Sequence, residues 1–370
     1  MEDKIGNKKV KQKCDQLASF LQENTSKKFY ICSHDAPDPD SLASGVAMLR
    51  ILEFFGITSP YIYYCKDISH AQNKAMQNIL QLPVKKWTKD IEQEAKQLGD
   101  DAIFIFVDCA GKNQNNMSIP FDPHVVIDHH KTIPSAPLVI YDEVGACSTL
   151  MLDLMLNMPT IDIDGTQHNC FDVDEEGMID LCTALAIGIK TDTIAFVKEG
   201  TTEYDFAAHQ ILTRYMSRDK FYRIDNYELP EYMFDYEQIA WENKNLMNPR
   251  IISGLGFLKS SHGDCIPYIA ERFMRLEGIQ TVVVFGILED EENNNIRIRA
   301  AVRTTSAACD CDTLTKNLFG ENNGGAKQGA GGAIVNLSYD IDLLDEEDRR
   351  KLWELQKSQI VKRFVKVTGK

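Results

Sequence analysis

Four short polar clusters contain the residue types that bind divalent metal ions. They are HDAPDPD with His34, Asp38 and Asp40, VDCAG with Asp108, IDHHK with Asp128, His129 and His130, and KTDT with Asp192. Carboxylates and imidazoles in this mixture suit an octahedral site for manganese or a similar ion, whereas structural zinc sites favour thiolates. Carboxylates held this close repel one another, and two divalent cations would offset about four negative charges. The residues therefore predict a two-metal site.

Each cluster lies at or just past an apolar segment. Five apolar segments are predicted as strands: FYICS (29–33), YIYYC (61–65), AIFIFVD (102–108), HVVID (124–128) and PLVIY (137–141). SLASGVAMLRILEFFG has apolar residues at helical spacing and ends at Gly56, a plausible helix C-cap. Strands that alternate with helices predict a mostly parallel sheet covered on both faces. Because such sheets bind ligands at the carboxyl ends of their strands, we expect the four clusters to share one cleft.

The pattern changes in the second half of the chain. TVVVFGILED and NNIRIRAAVRTT predict an antiparallel strand pair, which a glycine-rich stretch at 322–333 follows. The predicted organisation is an α/β protein with a catalytic domain at 1–200, a helical linker at 201–247, a smaller domain at 248–340 and a C-terminal helix at 341–370.

Composition and charge exclude several classes of function. The 370 residues are 44% hydrophobic and 26% charged, as in soluble globular proteins, and the net charge of −15 argues against binding to duplex DNA. No apolar run approaches the ~20 residues of a membrane span, and the N-terminal segment lacks the apolar core of a secretory signal. The ten cysteines form no paired framework. We therefore expect a cytoplasmic protein with reduced thiols and no membrane partner.

In their order and spacing, the four clusters resemble those of the DHH phosphoesterase superfamily. This superfamily includes RecJ-type exonucleases, family II pyrophosphatases, oligoribonucleases and cyclic-dinucleotide phosphodiesterases. SHDAPDPDS and VIDHHKT carry the resemblance, which spans roughly residues 28–335. It implies an N-terminal parallel-sheet DHH catalytic domain and a smaller C-terminal DHH-associated α/β domain that binds substrate, joined by a helical linker.

The resemblance also implies roles for the residues of the four clusters. The implied metal ligands are His34, Asp38 and Asp108 for one ion, and Asp40, Asp108, His129 and Asp192 for the other. Asp108 would bridge the ions, His130 would face the substrate phosphate, and Asp128 would fix the histidines, which makes these three the expected catalytic residues. Two divalent ions, manganese foremost with magnesium and cobalt as alternatives, activate water and stabilise charge on phosphate oxygens.

The glycine-rich stretch resembles a second signature of the family, in which consecutive glycines and a histidine contact the substrate. In this chain Lys327 stands in place of the histidine and Ala326 in place of a glycine. The implied substrate-binding residues are His130, Arg303, Gly324, Gly325, Lys327 and Gly331. Backbone amides of a glycine loop would cradle an anion, and Lys327 would add a mobile positive charge.

The expected function is hydrolysis of linear dinucleotides or very short oligoribonucleotides, such as pGpG or pApA, to nucleoside monophosphates. A negative surface suits such a short substrate better than a long RNA. The enzymatic alternatives are a 3'-phosphoadenosine 5'-phosphate phosphatase and a cyclic dinucleotide phosphodiesterase. A nucleotide-binding sensor without catalysis is the alternative from another class, and the complete set of implied metal ligands argues against it. Whether the chain forms a homodimer is left open.

Overall fold

The computed structural model describes residues 8–68, 70–110, 117–131, 135–163, 165–291, 293–327 and 329–369. The chain divides into two compact units, Met1–Glu228 and Leu229–Lys370. All ten cysteines are free thiols. Within the described ranges, no helix combines the length and the apolar character that crossing a membrane requires.

A six-stranded parallel sheet forms the centre of the first unit. Its strands are β1 (Lys28–Cys32), β2 (Ile62–Tyr64), β3 (Val84–Lys86), β4 (Ala102–Val107), β5 (Val125–Asp128) and β6 (Leu138–Tyr141). Their spatial order is β3-β2-β1-β4-β5-β6, and every neighbouring pair is parallel. The predicted strands are confirmed; β3 was not predicted because two of its three residues are lysines.

Helices cover both faces of this sheet, which confirms the predicted α/β class. They are α1 (Lys8–Glu23), α2 (Pro39–Phe54), α3 (Ala71–Ile79), α4 (Lys89–Leu98), α5 (Cys147–Asn157), α6 (Met178–Asp192), α7 (Glu203–Leu212) and α8 (Arg218–Asp225), with a small hairpin of β7 (Ile161–Ile163) and β8 (Thr166–His168). α1, α2, α5 and α6 share one large apolar core, whereas α4 packs with Tyr30 and Phe104 on the opposite face. Burial on both faces explains why the strands are continuous apolar runs.

The direction of strand addition reverses between β1 and β4. From β1 the chain continues outward through β2 and β3, and from β4 it continues the other way through β5 and β6. In open α/β sheets, such a reversal opens a crevice at the carboxyl ends of the two central strands. His34 follows β1 and Asp108 follows β4, so both residues lie at this crevice.

The second unit contains a mixed six-stranded sheet. Its elements are α9 (Glu231–Glu242), β9 (Asn245–Met247), β10 (Arg250–Lys259), α10 (Cys265–Phe273), β11 (Thr281–Asp290), β12 (Asn295–Thr304), α11 (Cys311–Phe319), β13 (Gly324–Lys327), β14 (Ala330–Leu337) and α12 (Glu346–Thr368). The order is β13-β14-β12-β11-β10-β9, with only β10 and β11 parallel among these pairs. α9 and α10 cover one face, and α11 and α12 cover the other.

The stretch 201–247, predicted as a linker, is helical but is divided between the two units. Ala208 of α7 and Ile224 of α8 are buried in the core of the first unit. Met233 and Ala240 of α9 are buried in the core of the second. The boundary between the units therefore falls inside this stretch, after Glu228.

The glycine-rich stretch forms the β13–β14 hairpin rather than the expected loop. Gly331 pairs with Val302 of β12, and a Cβ atom added at Gly331 would lie 2.4 Å from Thr315 Oγ1 of α11. Glycine is thus required there because the helix packs directly on the strand. Gly329 adopts a φ of +75° at the turn, a conformation that glycine reaches without strain.

Candidate metal centre

Asp108 occupies the centre of the crevice. It follows β4 with a φ of 56°, its backbone N–H donates to the Ile127 carbonyl at 2.9 Å, and it is buried. Left-handed backbone is uncommon for residues other than glycine, and such conformations cluster at functional sites. The Oδ2 atom lies 3.7 Å from His34 Nε2, and Oδ1 lies 3.4 Å from His129 Nε2. One carboxylate therefore faces two separate histidines.

The start of α2 supplies the next acidic group. Asp38 is the N-cap, and its Oδ1 accepts a hydrogen bond from the Ser41 backbone N–H at 3.0 Å. Its Oδ2 lies 3.9 Å from His34 Nε2. The Ser41 hydroxyl donates to Asp108 Oδ2, so the first turn of this helix also holds the central carboxylate.

Asp40 lies in the first turn of the same helix and is buried against the start of α5. Its two oxygens accept hydrogen bonds from the backbone N–H groups of Cys147 and Ser148 at 2.7 and 2.8 Å. The N-terminus of a helix favours negative charge because its N–H groups lack partners within the helix. Asp40 Oδ2 also lies 3.8 Å from His129 Nε2.

Asp128 anchors both histidines that follow it at the end of β5. Its Oδ1 accepts hydrogen bonds from the backbone N–H of His129 at 2.9 Å and from His130 Nδ1 at 2.7 Å. His129 Nδ1 lies 2.9 Å from the Val144 carbonyl. Since a carbonyl only accepts, the Nδ1–H of His129 is the donor, and Nε2 is left to face the carboxylates.

Asp192 closes the cluster from the end of α6. Its Oδ2 lies 3.4 Å from His129 Nε2, and its Oδ1 accepts a hydrogen bond from Lys198 Nζ at 2.9 Å. The two oxygens of this carboxylate thus face a histidine on one side and a cation on the other.

The side chains form three overlapping groups whose potential ligand atoms lie within 4.8 Å of one another. The groups are His34 with Asp38 and Asp108, Asp40 with His129 and Asp192, and Asp108 with His129 and His130. Three of their buried atoms lack hydrogen-bond partners among the described residues: Asp108 Oδ1, His129 Nε2 and Asp192 Oδ2. Burying unpaired polar atoms is costly, and divalent ions bind nitrogen and oxygen donors of this kind. The donor set therefore fits divalent cations.

The histidines of the cluster have raised pKa values. Burial disfavours the charged ring of His34, but the nearby Asp38 and Asp108 outweigh burial and raise the pKa of His34 to about 9. Burial likewise opposes the charge on His129, and Asp108 above all raises the pKa of that residue to about 10. This crevice therefore strongly favours positive charge.

The pKa values of the carboxylates in the cluster are shifted as well. Burial, followed by the charge of Asp108, raises the pKa of Asp40 well above its ordinary value, and burial raises the pKa of Asp192. Burial also opposes ionisation of Asp108, but His129, whose Nε2 lies 3.4 Å from Asp108 Oδ1, lowers the pKa of Asp108 to about 2. Divalent cations would relieve the repulsion that these acidic groups exert on one another.

Asp35, in the same sequence motif, lies outside the cluster. Its carboxylate is buried and accepts hydrogen bonds from Ser118 N at 2.7 Å and Ser118 Oγ at 2.6 Å, and Lys66 Nζ lies 3.1 Å away. This residue ties the segment after β1 to the segment before β5. Its role is therefore structural.

The predicted substrate-binding residues other than His130 belong to the second unit. Arg303 lies on β12, where its guanidinium donates to the Val302 carbonyl and to Glu271 Oε1, both at 3.0 Å. Arg303 and Gly331 line a cavity of about 400 Å³. Gly324 and Gly325 lie in the neighbouring strand β13, and the side chain of Lys327 falls outside the described residues.

Three groups that support the cluster were not predicted from the sequence. Ser41 holds Asp108, Lys198 holds Asp192, and the segment 144–148 contacts both His129 and Asp40. The start of α5 carries no capping signal, because its N-cap is Ala146, which makes no side-chain hydrogen bond. The sequence likewise carries no signal for Lys198, which reaches the site only because the chain turns back after α6.

Comparison with known proteins finds a family match for part of the chain. The model of the DHH family, N-terminal domain, matches residues 28–189. An uncharacterized protein of Methanocaldococcus jannaschii is 28% identical over 369 residues, which cover 95% of this chain and 69% of the relative.

Two solved structures extend the comparison. An exopolyphosphatase-related protein from Bacteroides fragilis superposes with a TM-score of 0.62 at 16% identity, covering 94% of this chain and 96% of the other. RecJ in complex with Mn²⁺ from Thermus thermophilus gives a TM-score of 0.46 at 14% identity, covering 97% of this chain and 55% of RecJ. The resemblance predicted from the motifs is confirmed over residues 28–189, which match the N-terminal domain of the DHH family.

Proposed function

We propose that the chain is a two-metal phosphodiesterase that hydrolyses linear dinucleotides or very short oligoribonucleotides, such as pGpG or pApA, to nucleoside monophosphates. The observation that carries the proposal is the position of Asp108. One of its oxygens faces His34, and the other faces His129. A carboxylate shared in this way would hold two cations side by side, with Asp38 completing one site and Asp40 and Asp192 the other.

Bound divalent ions, with manganese as the proposed metal, would supply an activated water and stabilise charge that develops on the phosphate. The protein would hold the substrate in place. His130 suits contact with a phosphate oxygen because its ring is fixed by Asp128 at Nδ1 and its side chain is one-third exposed, at 34%. Lys198, paired with Asp192 and 41% exposed, would add a cation beside the same phosphate.

Two features favour a short substrate. The net charge of −15 repels a long polyanion, whereas a local cationic pocket can still attract a small one. The second unit has a cavity of about 400 Å³ with Arg299 and Arg303 in its lining, a volume within the range of small-molecule sites, roughly 300–1,000 Å³. We propose that this cavity holds the terminal nucleotide or phosphate of the substrate.

The experiment that tests the function is a manganese-dependent turnover assay with products separated by chromatography. Its substrates are linear dinucleotides of each base, a five-nucleotide RNA, 3'-phosphoadenosine 5'-phosphate, cyclic dinucleotides and pyrophosphate. Fast cleavage of dinucleotides to monophosphates is the expected result. Dominant turnover of 3'-phosphoadenosine 5'-phosphate or of a cyclic dinucleotide would contradict the proposed substrate. Manganese binding without any turnover would favour a nucleotide-binding sensor without catalysis.

Two matched variants test the metal assignment. Asparagine has nearly the same shape as aspartate and also tolerates left-handed backbone. We expect Asp108→Asn to reduce turnover by at least about a hundredfold. Asp35→Asn removes a buried charge from the neighbouring segment and should leave turnover within about threefold. Equal activity of wild type and Asp108→Asn would refute the two-metal assignment.

The proposed role of the second unit needs a separate comparison. Arg303→Ala should raise KM for a dinucleotide about tenfold or more with little change in kcat, because the residue would contribute only to binding. Arg297→Ala is the matched control. It removes an arginine from the same face of β12, where Arg297 contacts Ser260 and lies outside the lining of the cavity. Equal KM values for the two variants would contradict the proposed subsite.

A further inference from the structure

The peptide unit between Val144 and Gly145 connects His129 to a second buried carboxylate. The carbonyl of this peptide accepts the hydrogen bond from His129 Nδ1 at 2.9 Å. Its N–H donates to Asp205 Oδ2 at 2.8 Å. Because the C=O and N–H groups belong to one planar amide, the imidazole, the amide and the carboxylate form a continuous hydrogen-bonded chain.

Asp205 is fully buried and well supported in this arrangement. It lies in the first turn of α7, and its Oδ2 also accepts hydrogen bonds from the backbone N–H of Thr202 at 2.7 Å and from the Thr202 hydroxyl at 2.8 Å. Its Oδ1 accepts a hydrogen bond from the Thr149 hydroxyl at 2.6 Å. The carboxylate is therefore held at both oxygens.

A capping role alone does not account for all these contacts. Thr202 and Asp205 form the capping box that begins α7, and a capping box requires only those two residues. The bonds from Gly145 and Thr149 come from residues 60 and 56 positions away in the sequence. They tie the helix start to the segment that contacts the metal centre.

The close approach depends on Gly145. A Cβ atom added there would lie 2.7 Å from Asp205 Oδ2 and 2.7 Å from Thr193 Cγ2, distances that no side chain tolerates. The absence of a side chain at Gly145 therefore lets its N–H reach the carboxylate.

We propose that Asp205 is a positioning residue for His129. It fixes the Val144–Gly145 peptide, and that peptide in turn fixes the imidazole so that Nε2 faces Asp108 and Asp192. Metal-binding histidines usually donate their other ring N–H directly to a carboxylate or carbonyl, which orients the ring and raises its affinity for the metal. Here the carboxylate acts through one amide, and hydrogen bonds in such chains polarise one another. The inference rests on the proposed role of His129 as a metal ligand.

The test compares Asp205→Asn with Thr149→Val. The asparagine can still accept hydrogen bonds at the Oδ2 position but loses the negative charge, whereas the valine removes a hydrogen bond to the same carboxylate without touching the peptide. We expect Asp205→Asn to weaken Mn²⁺ binding about tenfold or more in titration calorimetry. Thr149→Val should stay within about twofold of the wild type.

The outcomes separate the inference from the function on which it rests. Unchanged affinity in Asp205→Asn, or an equal loss in both variants, overturns the positioning role. Absence of Mn²⁺ binding by the wild type would overturn the proposed function instead. In that case the ring ¹⁵N–¹H spectrum of His129 still tests the inference, because Asp205→Asn should shift the Nδ1–H signal and Thr149→Val should not.

A measurement on the wild type covers the case in which Asp205→Asn does not fold. Gly145 and Thr202 both donate a backbone N–H to Asp205 Oδ2, but only the Gly145 amide is shared with His129. Adding Mg²⁺ should therefore move the Gly145 amide signal more than that of Thr202. A shift of the Thr202 signal equal to or larger than that of Gly145 would overturn the proposal.

Discussion

At the scale of single residues, protons and metal ions would occupy the same atoms of the crevice. The pKa values of about 9 for His34 and about 10 for His129 mean that each ring carries a second proton, and with it a positive charge, at neutral pH. A divalent cation can bind to a histidine nitrogen only after that proton leaves. Binding of metal and release of protons are therefore coupled.

The first prediction follows from this coupling. Metal affinity should rise as pH increases towards 9, by about tenfold per pH unit for each proton released. Titration calorimetry in buffers of different ionisation enthalpy measures the protons released per cation. In His34→Gln, fewer protons should be released than in the wild type. A proton release of zero in the wild type would contradict the prediction.

Asp153 on α5 gives a second prediction, which concerns stability. Its side chain is buried, its Oδ2 lacks a hydrogen-bond partner among the described residues, and burial raises the pKa of this carboxyl to about 7. Between pH 4 and pH 7 the unfolded chain releases this proton while the folded chain keeps it. The free energy of unfolding therefore falls as pH rises through this window.

Asp153→Asn should remove this fall in the free energy of unfolding. At about 1.4 kcal/mol per pKa unit, the variant should gain a few kcal/mol relative to wild type between pH 4 and pH 8. Chemical denaturation of both proteins at the two pH values measures the gain, and Asp219→Asn, at an exposed aspartate, is the control. A constant difference between variant and wild type across the range would show that Asp153 does not cause the effect.

At the scale of elements, α2, α5 and α6 meet directly behind the acidic cluster. Gly188 of α6 lies at the contact, where an added Cβ atom would be 2.3 Å from Ser148 Oγ and 3.1 Å from Asp40 Oδ1. The three helices can therefore approach closely only because this position has no side chain. A displacement of α6 at this contact would also move Asp40, which lies on α2 and accepts hydrogen bonds from the start of α5.

Gly188→Ala should consequently lower the free energy of unfolding by about 1–3 kcal/mol and weaken Mn²⁺ binding, because the added methyl group pushes against Ser148 and Asp40. Ser148→Ala removes the atom that is contacted first, an oxygen without a hydrogen-bond partner among the described residues. The double variant should thus recover part of both losses. Additive losses would show that the helices have moved apart as a whole. Chemical denaturation and calorimetric titration provide the two measurements.

The sequence predicted elements well where the signal was local. The strands and α2 were predictable because continuous apolar runs and helical spacing reflect burial within one segment. Three of the four polar clusters could be assigned to one sheet edge because parallel strands end together, whereas Asp192 lies at the end of the helix α6. The β13–β14 hairpin was missed because its glycines mark close packing against α11, and sequence alone does not separate close packing from a loop. The bond from Gly145 to Asp205 likewise joins distant segments, so it required the folded chain.

At the scale of the whole molecule, the implied metal ligands and the cavity lined by Arg303 belong to two different units, each with its own core. All implied metal ligands lie in the first unit, and Arg303 with its cavity lies in the second. A fragment of residues 1–228 should therefore fold and bind Mn²⁺ with a dissociation constant within about threefold of the full chain, since it retains its own core. Its turnover of dinucleotides should be lost. Calorimetry and the chromatographic assay check both parts, and a fragment that folds without binding Mn²⁺ would contradict the assignment.

The reversal of strand order between β1 and β4 has a thermodynamic consequence. Because the crevice draws its side chains from segments between His34 and Asp192, a cation bound there would link most of the first unit into one cooperative structure. A ligand that binds only the folded state stabilises it by about 4 kcal/mol at a thousand times its dissociation constant. Only the first unit would be stabilised directly in this way. Heating in excess manganese should therefore raise the melting temperature of one unit and leave the other as the weaker part of the protein.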